Sequence, residues 1–287
     1  MKLITFFLLF FLIFFISMFP DLAKSQHFNY SKIHTRQGYN HRWDFGPLSN
    51  QQQEVIKSLT QSPLKPLHSG QYYYIFSSAD NKYVVKFIKQ RNIDPKHIIS
   101  FFPLPKELEA LKRDFLNSMK NNRGSIFNSF QISYERIPDL TGVVYLHLNR
   151  TKSINKSVEL QVTQNKKIQI KLDDTEFIVQ KKAQPITLND LKVLPNVYTL
   201  LSEVVKMHGD KLKKGVKDGC TLKIKNLGII DGKIVQLNTT QFENSSDQVL
   251  PTQDSNDSLN EIYKKIVEIH PKHRNDFDII ISSLQSV

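Results

Sequence analysis

The stretch Leu67–Gln90 constrains the fold most, because it predicts two β-strands joined by a short turn. Gln71–Phe76 and Lys82–Ile88 are rich in aromatic and β-branched residues, which favour strands. Residues 77–81 between them are small or polar, as in a turn. Side chains alternate along a strand, so Lys86 shares a face with the apolar residues two positions before and after it. The pattern predicts an antiparallel hairpin with one charged side chain on an apolar face.

Lys86 has two interpretations. A lysine framed by apolar residues, after a glycine-containing turn such as that at Gly70, is the arrangement by which some phosphate-binding folds hold a nucleotide. The alternative is an ordinary hairpin whose lysine lays its stem on apolar surface and extends its ammonium into water. The hairpin alone leaves both interpretations open.

The N-terminal segment predicts export. Residues 3–19 form an apolar run after a single lysine, and small residues flank Lys24, at the spacing that a signal peptidase needs. We therefore expect residues 1–25 to be a signal peptide, and the protein to be secreted or periplasmic. The alternative is an inner-membrane anchor formed by residues 3–19, since a helix needs roughly 17 residues to span a bilayer.

Composition restricts the partners. The net charge of +12 and the pI of about 9.5 favour an anionic partner such as phosphate, nucleic acid or anionic lipid, and a solvated basic surface explains them as well. The lysines are spread along the chain, and no arginine-rich tract or aromatic–basic alternation indicates nucleic acid. The single cysteine, Cys220, excludes an intrachain disulfide. No pair of histidines has the spacing of metal ligands.

Changes of pattern along the chain predict an α+β fold in four parts. After the leader, residues 26–66 are mostly irregular, with a short helix at Ser49–Leu59. Residues 67–183 are β-rich and predict an antiparallel sheet. Residues 184–287 are mostly helical and contain a hairpin at 226–238. A β-rich first lobe followed by a reduced helical lobe is expected.

The β-rich part predicts a sheet of about five to seven strands when its strands are added to the hairpin. These further strands are Phe130–Ile137, Thr141–Leu148, Val158–Gln164, Lys167–Leu172 and Glu176–Gln180. An amphipathic helix is predicted at Lys106–Asn121, where apolar residues recur at three- and four-residue spacing. Its Glu107 and Glu109 are candidates to pair with Lys86, although glutamates on a helix more often form surface pairs, such as that of Glu109 with Arg113 four residues on.

The helical part contains the second group of candidate residues. Helices are predicted at Leu188–Leu194, Pro195–Lys214, Leu259–Ile269 and Phe277–Leu284. Asp218, then Asn226, then a hairpin that turns at Asp231-Gly232 follow the second of these helices. An acid, an asparagine and a short hairpin occur in this order where phosphotransferases position a hydroxyl and hold Mg²⁺. The hairpin here is followed by Asn238 instead of a second acid.

Taken together, these segments resemble exported kinase-like proteins of chlamydia-related intracellular bacteria. The resemblance covers about residues 65–270 and rests on five stretches: Ser69-Gly70-Gln71 with Tyr83–Phe87, Leu111–Asn117, Val144–Thr151, Phe177–Ala183, and Lys214–Asp218 through Asn226-Leu227-Gly228 to Phe242. It implies a two-lobe kinase-like fold, with ATP and Mg²⁺ as the cofactors if any are bound.

The resemblance also implies roles for individual residues. Gly70, Lys86 and Glu109 would serve nucleotide binding, Asp218 would be the catalytic acid, and Asn226 and Asn238 would hold the metal. Asn238 stands where the related sequences have an aspartate, and a neutral amide is a weaker Mg²⁺ ligand than a carboxylate. We therefore expect a pseudokinase that acts by binding a protein or an anionic partner. The alternatives are an atypical, active ATP- and Mg²⁺-dependent phosphotransferase and a basic surface-binding protein that uses no nucleotide.

Overall fold

The computed structural model describes residues 28–35, 37–70, 72–90, 123–193, 196–219, 222–245 and 253–283. The largest sheet in this part of the chain has five antiparallel strands. The strands are β1 (Lys65–Ser69), β2 (Tyr73–Ser77), β3 (Tyr83–Ile88), β4 (Val143–His147), β5 (Ser157–Thr163), β6 (Lys166–Lys171), β7 (Phe177–Lys181), β8 (Gln184–Pro185), β9 (Val216–Asp218), β10 (Leu227–Ile230), β11 (Lys233–Gln236) and β12 (Phe242–Asn244). The helices are α1 (Asn50–Thr60), α2 (residues 123–135), α3 (Pro138–Thr141), α4 (Asn196–Lys213), α5 (Gln253–Ile269) and α6 (Arg274–Ser282). The mixed α+β class is confirmed.

The predicted hairpin forms the centre of the sheet. The strand order is β1-β2-β3-β7-β4, so that β3 has β2 on one side and β7 on the other. Lys86 pairs with Ile75 of β2 and with Ile178 of β7. A lysine in a central strand has backbone partners on both sides, and only the two faces of the sheet remain for its side chain.

The sheet is covered on both faces. Val55, Ile56 and Leu59 of α1 form one hydrophobic cluster with the side chains that β3 directs to the first face. Helix α2 forms another cluster with Ile88 and its neighbours on the second face. Helix α1 is where the sequence predicts it, and Ser49 and Gln52 form a capping box at its start.

One predicted strand, Phe130–Ile137, is wrong because most of this stretch belongs to helix α2. Its aromatic and β-branched residues favour a strand, but the buried side chains include Ile126, Phe130 and Ser133, which recur at helical spacing. Packing against the sheet therefore outweighs local propensity.

The predicted strands β4 to β7 are present, although β5 and β6 form a separate two-stranded sheet. Strand β1 begins inside the segment predicted to be irregular.

The second region contains α4 to α6 and three short strand pairings around its own hydrophobic cluster. Strand β9 pairs with β12, while β10 pairs with both β11 and β8. The β10–β11 hairpin turns at Asp231 (φ 50°) and Gly232 (φ 77°), as the sequence predicts. Helix α4 is confirmed, but the helix predicted at Leu188–Leu194 is only a 3₁₀ turn at Asp190–Lys192.

Several predictions fall outside the described residues. They concern the leader, the Lys106–Asn121 helix with Glu109, and Cys220. None of the helices within the described ranges combines the length and the apolar character that crossing a membrane requires.

Candidate functional site

A cleft of about 1240 Å³ lies between the second face of the sheet and the loops of the helical region. Strands β2 and β3 and the connection from β7 to β8 form one wall. The opposite wall comes from Gly219, from residues 223–226 and from the segment that follows β11. The cleft is open along one side, so a ligand can enter it from solvent.

Gly228 allows the two walls to meet at one end. A Cβ atom at this position would lie 2.8 Å from the Cβ of Ala183 and 3.1 Å from the carbonyl oxygen of Gln184. Real Cβ atoms essentially never come within 3.0 Å of another atom, so any other residue here would push β10 away from the β7–β8 connection. The close approach fixes the position of the hairpin that carries Leu237 into the cleft.

Lys86 lies on the wall of the cleft and is only 6% exposed. Its Nζ donates a hydrogen bond of 2.6 Å to the carbonyl oxygen of Leu237 on the opposite wall, and it lies 5.8 Å from the ring centroid of Tyr73. Among the described residues, no carboxylate forms an ion pair with it. Burial disfavours the charged amine and lowers the pKa of Lys86 to about 7.

Leu237, whose carbonyl oxygen accepts from Lys86, also connects two candidate residues. The backbone N–H of Leu237 donates to the carbonyl oxygen of Asn226 over 2.7 Å, which holds Asn226 beside the segment that contains Asn238. Both asparagines line the cleft. The hydroxyl of Thr240 donates to Oδ1 of Asn238 over 2.9 Å. Two neutral amides thus line the same cleft as the lysine.

Helix α2, which the sequence does not predict, supports this wall from behind. The buried hydroxyl of Ser129 donates to the carbonyl oxygen of Thr239 over 2.8 Å and accepts from the N–H of Phe242 over 2.6 Å. The backbone just after Asn238 is therefore anchored to the sheet region. The serine hydroxyl thus satisfies one buried backbone carbonyl and one buried backbone N–H.

Asp218 ends strand β9 and is bound inside the helical region. Its Oδ2 accepts hydrogen bonds of 2.8 Å from Nζ of Lys211 and from Nε2 of Gln236. Lys211 also donates to Oε1 of Gln236 over 2.8 Å, and the two charged side chains are 1% and 2% exposed. Gly219, the next residue, lines the cleft, whereas the described lining does not include Asp218.

The lining of the cleft is strongly basic. It contains five lysines and one histidine, and no aspartate or glutamate occurs among its described residues: the basic residues are Lys86, Lys181, Lys182, Lys223, Lys225 and His68. Lys182 donates to Oδ1 of Asn81 over 2.7 Å, and Lys223 pairs with Glu261 at 3.3 Å. Throughout the described ranges, no three histidine, cysteine or acidic residues are grouped to hold a metal ion.

Gly70 also lines the cleft, and a lysine that the sequence analysis does not single out holds it in place. Nζ of Lys89 donates to the carbonyl oxygen of Gly70 over 2.6 Å and to the hydroxyl of Ser69 over 2.9 Å. Burial, together with the nearby charge of Lys32, lowers the pKa of Lys89 to about 8. Its position at the end of β3, three residues after Lys86, is the only signal that could have indicated it.

Sequence reasoning also misses a buried ion pair behind the sheet. Arg123, at the start of the described part of α2, donates to Glu176, which precedes β7. Gln90 and Thr35 donate to the same carboxylate over 2.8 and 2.9 Å. These residues are far apart in the chain and share no pattern, so only the fold brings them together.

The structure therefore brings four predicted residues to one cleft, namely Gly70, Lys86, Asn226 and Asn238. Asp218 is adjacent to the cleft but bound to Lys211. Glu109 lies outside the described residues. Chemically, the arrangement offers ammonium and amide donors to an anion.

No protein-family model matches the chain, and no curated protein matches it.

Proposed function

We propose that the chain is an exported kinase-like protein, a pseudokinase that binds a ligand in its cleft and does not transfer phosphate. The observation that carries the proposal is that Lys86, Asn226 and Asn238, which are far apart in the sequence, line one cleft between a sheet and a helical region. This combination supports a two-lobe kinase-like arrangement. Export is proposed from the apolar segment at residues 3–19.

Two features support binding over phosphotransfer. Phosphoryl transfer needs a metal ion that bridges the phosphates, and the candidate metal ligands Asn226 and Asn238 are neutral amides. The carboxylate of Asp218 accepts hydrogen bonds from the buried ammonium of Lys211 and from Gln236. Loss of the metal's charge stabilisation removes several kcal/mol of the roughly 8–23 kcal/mol by which enzymes lower barriers.

The test is a phosphotransfer assay on the full chain, purified in mild detergent, with γ-labelled ATP and Mg²⁺. We expect no release or transfer of label beyond that of the Asp218→Asn variant. Turnover that needs Mg²⁺ and is lost in Asp218→Asn would overturn the proposal in favour of an atypical phosphotransferase. The Asn165→Asp variant, altered in an exposed turn between β5 and β6, controls for the change of one charge.

Restoring the carboxylate tests the metal site itself. In Asn238→Asp, we expect Mg²⁺ to bind more tightly than to the natural chain, because an anionic oxygen replaces a neutral one beside Asn226. Magnesium affinity is measured by calorimetry against Asn165→Asp. Equal affinity in both variants would show that Asn238 is not at a metal position.

A further inference from the structure

We propose that the cleft binds a small molecule with two or more linked phosphates, and that it does so without a divalent cation. The inference rests on the proposed function and names the ligand class of the same cleft. It starts from the charges on the walls, where five lysines line the cleft and the described lining contains no carboxylate. Lys181 and Lys223 form ion pairs with Asp231 and Glu261 outside the lining, so Lys86 and Lys225 carry the argument. Such a site presents donors to phosphate oxygens directly.

Lys86 supplies the innermost donor. Its ammonium has three N–H groups, of which one is directed to the carbonyl oxygen of Leu237. The remaining N–H groups belong to a charge that is 6% exposed and that no carboxylate of the described residues neutralises. A buried charge without a counter-ion is costly, and a phosphate oxygen in the cleft would offset that cost through a charge-assisted hydrogen bond.

The opposite wall supplies a second group of donors. Lys225 is exposed on the cleft side next to Asn226, and none of the ion pairs in the described ranges involves it. The side-chain amide of Asn226, which lines the same wall, carries two N–H donors. Donors thus face each other across the cleft, so that successive phosphates of one ligand can contact both walls.

The same residues are unsuited to a divalent cation. Magnesium is bound in proteins through one or two carboxylates together with substrate phosphates. In the described lining, the corresponding positions hold amides, and the nearby ammonium groups of Lys86 and Lys225 repel a cation. The lysines therefore take the role of neutralising the phosphates, which the metal has in phosphotransferases.

The cleft has room for more than phosphates. Its volume of about 1240 Å³ exceeds that of most small-molecule pockets, and Ile75, Val84 and Ala183 add apolar surface. A nucleotide would use this surface, whereas inorganic polyphosphate would not. The two sources share the phosphate chemistry and differ in their contact with the apolar wall.

The experiment measures binding of ADP and of tripolyphosphate to the full chain in mild detergent at pH 7, by calorimetry. Each ligand is titrated once with EDTA present and once with excess Mg²⁺. We expect both to bind in EDTA, and Mg²⁺ to weaken binding because it neutralises the ligand charge that the lysines recognise. ADP binding at least about tenfold more tightly than tripolyphosphate assigns the site to a nucleotide, and the reverse order assigns it to inorganic polyphosphate.

Variants locate the site. Lys86→Met and Lys225→Gln are each expected to weaken binding in EDTA by about tenfold or more, since each removes a charged donor. Lys152→Gln, an exposed lysine in the loop before β5, is the matched control and is expected to bind like the natural chain. Because Lys225 is exposed, Lys225→Gln keeps the test valid if Lys86→Met does not fold.

The outcomes separate this inference from the proposed function. Binding that requires Mg²⁺ and is weakened in Lys225→Gln overturns metal-free recognition and leaves the cleft as the binding site. Binding that neither lysine variant changes overturns both. Absence of binding in EDTA overturns the inference, and the phosphotransfer assay then tests the proposed function by itself.

Discussion

At the scale of single residues, the protonation of Lys86 in the cleft makes the stability of the fold depend on pH. The amine is buried, and its only hydrogen bond to a described residue goes to the neutral carbonyl of Leu237. Burial lowers the pKa of Lys86 from 10.5 to about 7, so the folded chain releases this proton more readily than the unfolded chain. Because the unfolded chain then binds more protons above pH 7, the lysine destabilises the fold least at high pH.

This linkage gives a prediction for Lys86→Met. Between pH 7 and pH 9, the free energy of unfolding of the natural chain should rise relative to that of the variant by about 2 kcal/mol, since one pKa unit corresponds to 1.36 kcal/mol. Urea unfolding at several pH values measures the difference. Lys152→Met, in an exposed loop, should show no such dependence relative to the natural chain, and equal slopes for both variants would contradict the account.

The ion pair of Lys211 and Asp218 belongs to the same scale. Both side chains are almost fully buried, so Lys211→Met leaves a carboxylate without its cation and should cost about 3–5 kcal/mol. The double variant Lys211→Met/Asp218→Leu should recover most of that loss, because apolar groups then replace both charges.

Urea unfolding again measures the effect. Lys265→Met, in an exposed pair with Glu268, controls for the loss of a lysine and should cost less than about 1 kcal/mol. A cost for Lys211→Met as small as this would mean that the buried pair does not stabilise the helical region.

At the scale of elements, local sequence patterns predict the hairpins and helices whose formation depends on nearby residues. The β2–β3 and β10–β11 hairpins and helix α4 have clear periodicity and turn residues, and each is found where it is predicted. The second half of helix α2 lies in the predicted strand Phe130–Ile137, because its composition favours a strand whereas its spacing of buried residues favours a helix. The Arg123–Glu176 pair has no sequence signal, since only the packing of α2 on the sheet creates it.

Gly228 tests how the elements around the cleft fit. In Gly228→Ala, the new methyl group meets Ala183 and Gln184 at less than van der Waals distance, so β10 must move away from the β7–β8 connection. We expect a loss of about 1–3 kcal/mol in the free energy of unfolding, as for other overpacked sites. Gly38→Ala is the control, because nothing lies within 4 Å of a Cβ there. Equal stability of the two variants would contradict the close approach.

At the scale of the whole molecule, the cleft lies where two separately built regions meet. The sheet has its own hydrophobic clusters on both faces, and the helical region has another. Specific contacts connect them: the β8–β10 pairing, the bonds of Ser129 and the bond from Lys86 to Leu237. The sequence singles out Lys86, Asn226 and Asn238, which line this cleft. It does not indicate that Asp218 binds Lys211, because that contact depends on how α4 packs beside β9.

The most direct measurement is a crystal structure of the chain with ADP, grown in EDTA. The account predicts the phosphates in the cleft, with an oxygen within about 3 Å of Nζ of Lys86 and no metal ion between them. ADP bound at another surface, with Lys86 contacting only the carbonyl oxygen of Leu237, would contradict it.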